Sequence, residues 1–197
     1  VTTGKALMPL HRAQKVTNLL FLALIESCQR LSIAGSMRRG KRFVGDIELL
    51  AVPLGTVQAD LFGAPAGTVS DLDSAIERLV QHPEWQWDRH QPRRGDRWKR
   101  VTYVPMGVNV DIFVTTMRAW AGNMIVRTGP AAFSKHVMSI AKRRGWHFAD
   151  GFLLHQHEPP CDRGPDCPLI RDFDEEWEIF DALEIPWRTP QEREGWK

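Results

Sequence analysis

The sequence predicts an α/β (α+β) fold: a sheet-containing part with flanking helices, followed by a smaller, mostly helical part. Three observations predict it. Short apolar runs of strand length alternate with segments of helical periodicity over the first 115 or so residues. After Thr116 the composition turns helical, which puts a cut near residue 118 and divides the chain into 1–118 and 119–197. The chain has 197 residues, 43% of them hydrophobic and 25% charged, enough to bury a core and unlike a disordered segment.

The elements follow in order. Val16, Leu19, Leu20, Ala23 and Leu24 recur at the spacing of an apolar helix stripe. Leu31 to Ala34 reads as a short strand ending at the Gly35-Ser36 turn, and Ile47 to Val52 as a strand buried on both faces. The Gly/Pro-rich stretch Gly55 to Gly67 reads as a loop, and Asp71 to Val80 as a helix with Ser70 as its N-cap. Val101 to Val104 and Val108 to Val114 read as strands joined at Pro105-Met106-Gly107. Trp120 to Val126 and Phe133 to Arg143 read as helices around Arg127-Thr128-Gly129-Pro130, with Pro130 suited to a helix start. Residues 155–168 form a Pro/Cys/His-rich loop, and Glu175 to Leu183 a last short helix. Cys28, placed on the first helix, reads as core packing.

The net charge of +2 hides a segregation. Residues 1–45 hold eight Lys/Arg and one acid, 89–100 six and one, and 127–145 five and none, whereas 172–197 hold nine acids and three bases. Basic blocks of this kind suit a polyanionic partner, with solvated faces as the plain alternative. Arg94, Arg97 and Lys99, interleaved with Trp85, Trp87 and Trp98, and Lys142-Arg143-Arg144 are the candidate DNA contacts. No apolar run reaches the roughly 18–20 residues of a membrane span, and no export signal opens the chain. Three cysteines leave one over from any disulfide framework, so a reducing compartment, the cytoplasm, is expected.

The chemistry-bearing residues are acids. Asp46 and Glu48 sit two apart on a predicted strand, so both side chains point to one face. Asp111 interrupts the apolar run Val108 to Val114, where an unpaired carboxylate would be costly. Three converging carboxylates would supply hard oxygen ligands for Mg²⁺, and two such ions can activate a 3′-hydroxyl and stabilise leaving pyrophosphate. The alternative puts Asp46 at a strand edge and Asp111 against a lysine or arginine. Just upstream, Gly35-Ser36-Met37-Arg38-Arg39-Gly40 offers backbone N–H groups, a hydroxyl and arginine forks, the makings of a triphosphate cradle.

Gly35-Ser36-Met37-Arg38-Arg39-Gly40 with Gly45-Asp46-Ile47-Glu48, then Val110-Asp111-Ile112, resembles the nucleotidyltransferase palm of family X DNA polymerases, the polymerase beta group. Arg127-Thr128-Gly129 with Phe133, Lys135 and His136 is similar to that family's nucleotide-contacting turn and helix. The stretch from Glu175 to Arg193, with Ile185-Pro186-Trp187 and Pro190-Gln191-Glu192-Arg193, is similar to its C-terminal signature. The resemblance runs over about residues 8–195. It implies a palm with a mixed central sheet and a C-terminal domain that contacts nucleotide and template. It also implies a DNA-directed nucleotidyltransferase using two Mg²⁺ ions (Mn²⁺ as an alternative), nucleoside triphosphates and gapped or primed DNA, acting as a monomer in repair.

By the same resemblance, Asp46, Glu48 and Asp111 would hold the metals, with Asp111 also assisting deprotonation of the primer hydroxyl. Gly35, Ser36 and Arg39 would bind the β- and γ-phosphates, and Arg127, Thr128, Gly129 and Lys135 would line the nucleotide. The chain departs from the pattern at Glu48, where the family has Asp, and at Val126-Arg127, where it has two aromatics. It departs again at Ser134, where the family has a base-contacting Asn. With about 34 residues before Gly35, the expected form is a minimal one without the lyase domain. Two rivals remain: a nucleotidyltransferase that copies no template, acting on a small molecule, protein or RNA, and a DNA-end-binding module without chemistry. Separately, His155, His157, Cys161 and Cys167 within 13 residues suit a structural tetrahedral Zn²⁺, with an ordinary surface loop as the alternative.

Overall fold

The computed structural model describes residues 7–59, 65–155 and 170–196. In chain order the elements are β1 (Met8–Pro9), α1 (Leu10–Leu24), β2 (Cys28–Ile33), α2 (Gly35–Arg38), β3 (Phe43–Val44), β4 (Ile47–Pro53), β5 (Gly55–Ala59) and β6 (Pro65–Ser70). Then come α3 (Asp71–Leu79), β7 (Trp85–Trp87), β8 (Arg94–Gly95), β9 (Trp98–Tyr103), β10 (Val108–Val114), α4 (Trp120–Thr128) and α5 (Ala131–Arg143). The chain closes with β11 (Trp146–Ala149), β12 (Phe152–His155), β13 (Ile170–Arg171) and α6 (Glu176–Ala182). Among the described residues no helix is long and apolar enough to cross a membrane.

The chain forms two compact units: 1–33 with 42–114, and 34–41 with 115–197. The segment 34–41, which precedes the cut drawn near 118 from composition, thus groups with the second unit.

The first unit is built on a mixed sheet in the order β2-β4-β10-β9-β7, with β8 added to β9. Only β4 and β10 run parallel; the other pairs are antiparallel. β4 buries Leu49, Leu50 and Ala51 in succession, as its unbroken apolar run requires. The buried seam of α1 is Ala13, Val16, Thr17, Leu20 and Leu24, rotated from the expected stripe, so that Leu19 lies exposed. Thr17 decides the rotation. Its hydroxyl donates to the Ala13 carbonyl at 2.9 Å, which satisfies its one polar group inside the helix and lets it face the core.

Two other expectations are corrected. Cys28 opens β2 rather than ending α1, because the helix tightens into a 3-10 turn over Ile25–Ser27. Burial there pushes its thiol up to about 11. The stretch read as a loop from Gly55 to Gly67 carries the β5–β6 hairpin, in which Thr56 pairs Val69 and Val57 pairs Thr68. The β-branched residues favour pairing, and the surrounding Gly and Pro hide them. Ser70 caps α3 as expected, its hydroxyl accepting from the Asp73 N–H at 3.3 Å.

The second unit packs α4, α5 and α6 around Ile125, Phe133, Val137, Phe173, Ile179 and Phe180. It also holds a short sheet, β11-β12-β13, that the sequence reading left out. Gly122 on α4 faces the turn between β11 and β12 so closely that a Cβ would lie 1.9 Å from the Gly151 carbonyl oxygen. Backbone cannot yield as a side-chain tip does, so Gly122→Ala is expected to cost at least about 1–3 kcal/mol, the usual range for overpacking. A urea midpoint unchanged from wild type would contradict this.

Candidate active site

In the parallel pair β4–β10, Glu48 lies opposite Asp111. In the antiparallel pair β10–β9, Asp111 lies opposite Arg100. Register partners share a face, so Glu48, Asp111 and Arg100 form a row across three neighbouring strands. Asp46 sits at the bend just before β4, two residues ahead of Glu48. Asp88, following β7, extends the row beyond β9, where its N–H donates to the Arg100 carbonyl at 3.2 Å.

Asp111 is 3% exposed and fully engaged. Arg100 donates to both its oxygens, Nε to Oδ1 at 2.6 Å and Nη2 to Oδ2 at 2.9 Å. Trp98 Nε1 adds a third bond, to Oδ1 at 2.8 Å. The bidentate fork is the strong form of the pair and removes most of the cost of burying the charge. Asp88, 4% exposed, accepts from the His90 and Gln91 N–H groups through Oδ1 and from Asn109 through Oδ2. Its Oδ2 lies 3.8 Å from Arg100 Nη1.

Arg100 is held above the ordinary arginine value first by its hydrogen bond to Asp111, against burial, and then by the charges of Asp111, Asp88 and Asp46. The plain alternative for Asp111, an arginine partner, is therefore present. Among the described residues no three His, Cys, Asp or Glu side chains are arranged to hold a metal ion.

The opposite face of β9 carries Lys99, and this corrects one expected DNA contact. Lys99 is 4% exposed and pairs with Asp73 of α3 at 2.5 Å, so it fastens a helix to the sheet and does not face a phosphate backbone. The alternation along β9 sends it inward between half-buried Trp98 and Arg100, while exposed Arg97 precedes the strand. Arg94 is exposed and lies over the Trp87 ring, 4.7 Å from its centroid. Trp98 stacks on Phe113 and lies under both Arg93, at 4.5 Å, and Arg100, at 5.2 Å.

The second unit assembles the other expected residues. Gly35, with φ +60, opens α2 and turns the chain so that Ser36, Arg38 and Arg39 follow in one helical turn. Arg38 Nη1 donates to Thr128 Oγ1 at 2.6 Å, and Arg39 Nη1 donates to the Thr128 carbonyl. Gly129, with φ +61, leaves a Cβ only 3.5 Å from Arg39 Nη1. The Gly35–Arg39 and Arg127–Gly129 segments, both expected at the nucleotide, are thus joined through Thr128. Arg39 also donates through Nε to Glu194 at 2.6 Å, which holds that carboxyl below its usual range. Arg127 ends α4 half-buried, and Lys135 stands exposed on α5. Ser134 is buried, its hydroxyl donating to the Ile125 carbonyl at 3.3 Å, so it faces α4 and cannot read a base. Lys142 and Arg143 are exposed at the end of α5, and Arg144 pairs with Glu184 at 2.5 Å. The zinc expectation on His155, His157, Cys161 and Cys167 lies outside the described residues and side chains.

Sequence reasoning missed Arg100, Asp88 and one further group. Arg193 is fully buried, donates through Nη1 to Glu176 Oε1 at 2.7 Å, and sits 5.0–5.4 Å from the Phe133, Phe180 and Trp187 rings. Glu176 in turn accepts from Arg38 Nη2 at 2.5 Å.

Residues 123–194 match the family model of the DNA polymerase beta thumb. The fold is similar to that of Leishmania infantum polymerase beta in its ternary P/T complex, with TM-score 0.74, 19% identity, 96% of this chain covered and 77% of that one. The ternary gap complex of the same enzyme gives TM-score 0.75 and 18% identity, covering 96% and 71%. The chain has a DNA polymerase beta-like fold. The matched thumb residues include Thr128, Glu176 and Glu194, which fasten Arg38 and Arg39 within the second unit.

Proposed function

We propose that the chain is a DNA-directed nucleotidyltransferase that extends a primer 3′-hydroxyl and releases pyrophosphate, in gap filling or repair. The observation that supports it best is the register that sets Glu48 opposite Asp111 with Asp46 two residues upstream. This is an all-oxygen donor set of the hard kind that Mg²⁺ takes. Asp46, Glu48 and Asp111 would hold the ions, which supply charge neutralisation at the reacting phosphate when bound. Asp111, as the most deeply set of the three, would accept the proton of the primer hydroxyl. Ser36 and Arg39 would hold the triphosphate, which competes with Glu194 for the Arg39 guanidinium. Arg94, Arg97, Lys142 and Arg143, all exposed, would meet the DNA backbone. Catalysis of this kind rests on positioning and charge neutralisation.

A second reading, a DNA-end-binding module without chemistry, draws on the occupation of both Asp111 oxygens by Arg100. Magnesium-dependent extension on one-nucleotide-gapped duplexes, one for each template base and with deoxy- and ribonucleotides compared, decides. Incorporation of the matched nucleotide is expected. Incorporation without base preference would indicate a transferase that copies no template. DNA binding with no incorporation in Mg²⁺ or Mn²⁺ would establish the second reading instead.

A further inference from the structure

We propose that Arg100 is a positioning residue that competes with the divalent cation for Asp111, resting on Asp111 in the metal-free protein and moving onto Asp88 when the cation is held. The inference rests on the reading of Asp111 as a metal ligand. Its starting point is the count of bonds on that carboxylate. A carboxylate offers about four lone-pair sites. Arg100 takes one on each oxygen and Trp98 takes another on Oδ1, which leaves about one site on Oδ2, so the group cannot bridge two ions until the guanidinium gives way. Two positive groups at one carboxylate also repel each other, so displacement is favoured over sharing.

The place to which Arg100 moves is already built. Asp88 is buried, it is fixed by two backbone N–H groups and by Asn109, and its Oδ2 is 3.8 Å from Arg100 Nη1. Gln91 Oε1 accepts from that same Nη1 at 2.8 Å. The guanidinium can therefore keep its Nη1 partners while Nε and Nη2 leave Asp111. The Trp98 ring beneath it offers a flat face along which an arginine plane slides without losing its contact. In the metal-free protein Arg100 also sets a positive charge on Asp111 that Asp88 and Asp46 both feel.

The test is Mn²⁺ binding to the full chain, followed by the loss of the free-ion electron paramagnetic resonance signal. Arg100→Met is expected to tighten binding about tenfold, by removing a competing unit charge at hydrogen-bond distance. Arg100→Lys keeps the charge but not the fork, and is expected to tighten it by about threefold. Asp88→Asn removes the second resting place and is expected to weaken binding severalfold. Should Arg100→Met fail to fold, the opposite shifts of Arg100→Lys and Asp88→Asn carry the test. Asp111→Asn is the control on the underlying reading. If it abolishes Mn²⁺ binding while the Arg100 and Asp88 variants bind as wild type does, the competition is refuted and the metal site stands. If Asp111→Asn binds Mn²⁺ as wild type does, the metal-ligand reading falls, and the competition falls with it.

Discussion

Asp111→Asn is expected to lower nucleotide incorporation by about a thousandfold or more while leaving DNA affinity within about twofold. A thousandfold loss corresponds to about 4 kcal/mol of transition-state stabilisation, in line with removing an anionic ligand from a centre that neutralises a reacting phosphate. Asn keeps the shape and still accepts from Trp98 Nε1, so the sheet should close around it. The cost falls on Arg100, which loses its bidentate anion but keeps Asp88 and Gln91. A stability loss of about 1–2 kcal/mol is therefore expected, the range for a hydrogen bond to a charged group. The two readouts separate chemistry from folding. Turnover within tenfold of wild type would remove Asp111 from the catalytic assignment even if the protein were less stable.

Arg193→Met is expected to produce the largest loss of stability in the second unit, about 3–5 kcal/mol, the cost of breaking a buried ion pair from one side. Methionine replaces much of the volume but none of the charge. Glu176, 4% exposed, would keep Arg38 as its remaining partner, and Phe133, Phe180 and Trp187 would lose the guanidinium that they surround. Burial already pulls Arg193 below the ordinary arginine value, with Glu176 opposing that pull, so the pair exists by mutual support. The double variant Arg193→Met with Glu176→Gln should recover part of the loss, because it leaves no uncompensated carboxylate. Urea denaturation of the single and double variants measures both terms. A single-variant loss below about 1 kcal/mol would show that the buried pair contributes little beyond packing.

The candidate acids stand out in the sequence because their signals are local. Asp46 and Glu48 fall at a period of two, and Asp111 stands out in an apolar strand; no tertiary knowledge is needed to notice either. The register that joins them is harder, since parallel strands are connected over a long stretch of chain and their alignment depends on the whole sheet. Arg100 was within reach. The turn at Pro105–Gly107 sets Tyr103 opposite Val108, and counting outward from it brings Arg100 opposite Asp111. Arg93 to Arg100 reads as one basic surface, although β9 begins inside it and sorts Lys99 inward from Trp98 and Arg100. Arg193 stands in the C-terminal signature, but its burial does not show there. A guanidinium surrounded by three rings drawn from Phe133 to Trp187 leaves no periodic trace, and arginine near an acidic helix reads as surface.

The excursion of residues 34–41 has a practical consequence for anyone wishing to dissect this molecule. Because that octapeptide groups with residues 115–197, the second unit is discontinuous in sequence. A fragment cut at 115 would carry Thr128, Glu176 and Glu194 but not the two arginines that bind them. The first unit, cut the same way, would keep an internal segment belonging to its neighbour. Neither half is a module that recombination could shuffle by a single crossover, so insertions and swaps in this lineage would have to preserve both ends of that short detour together.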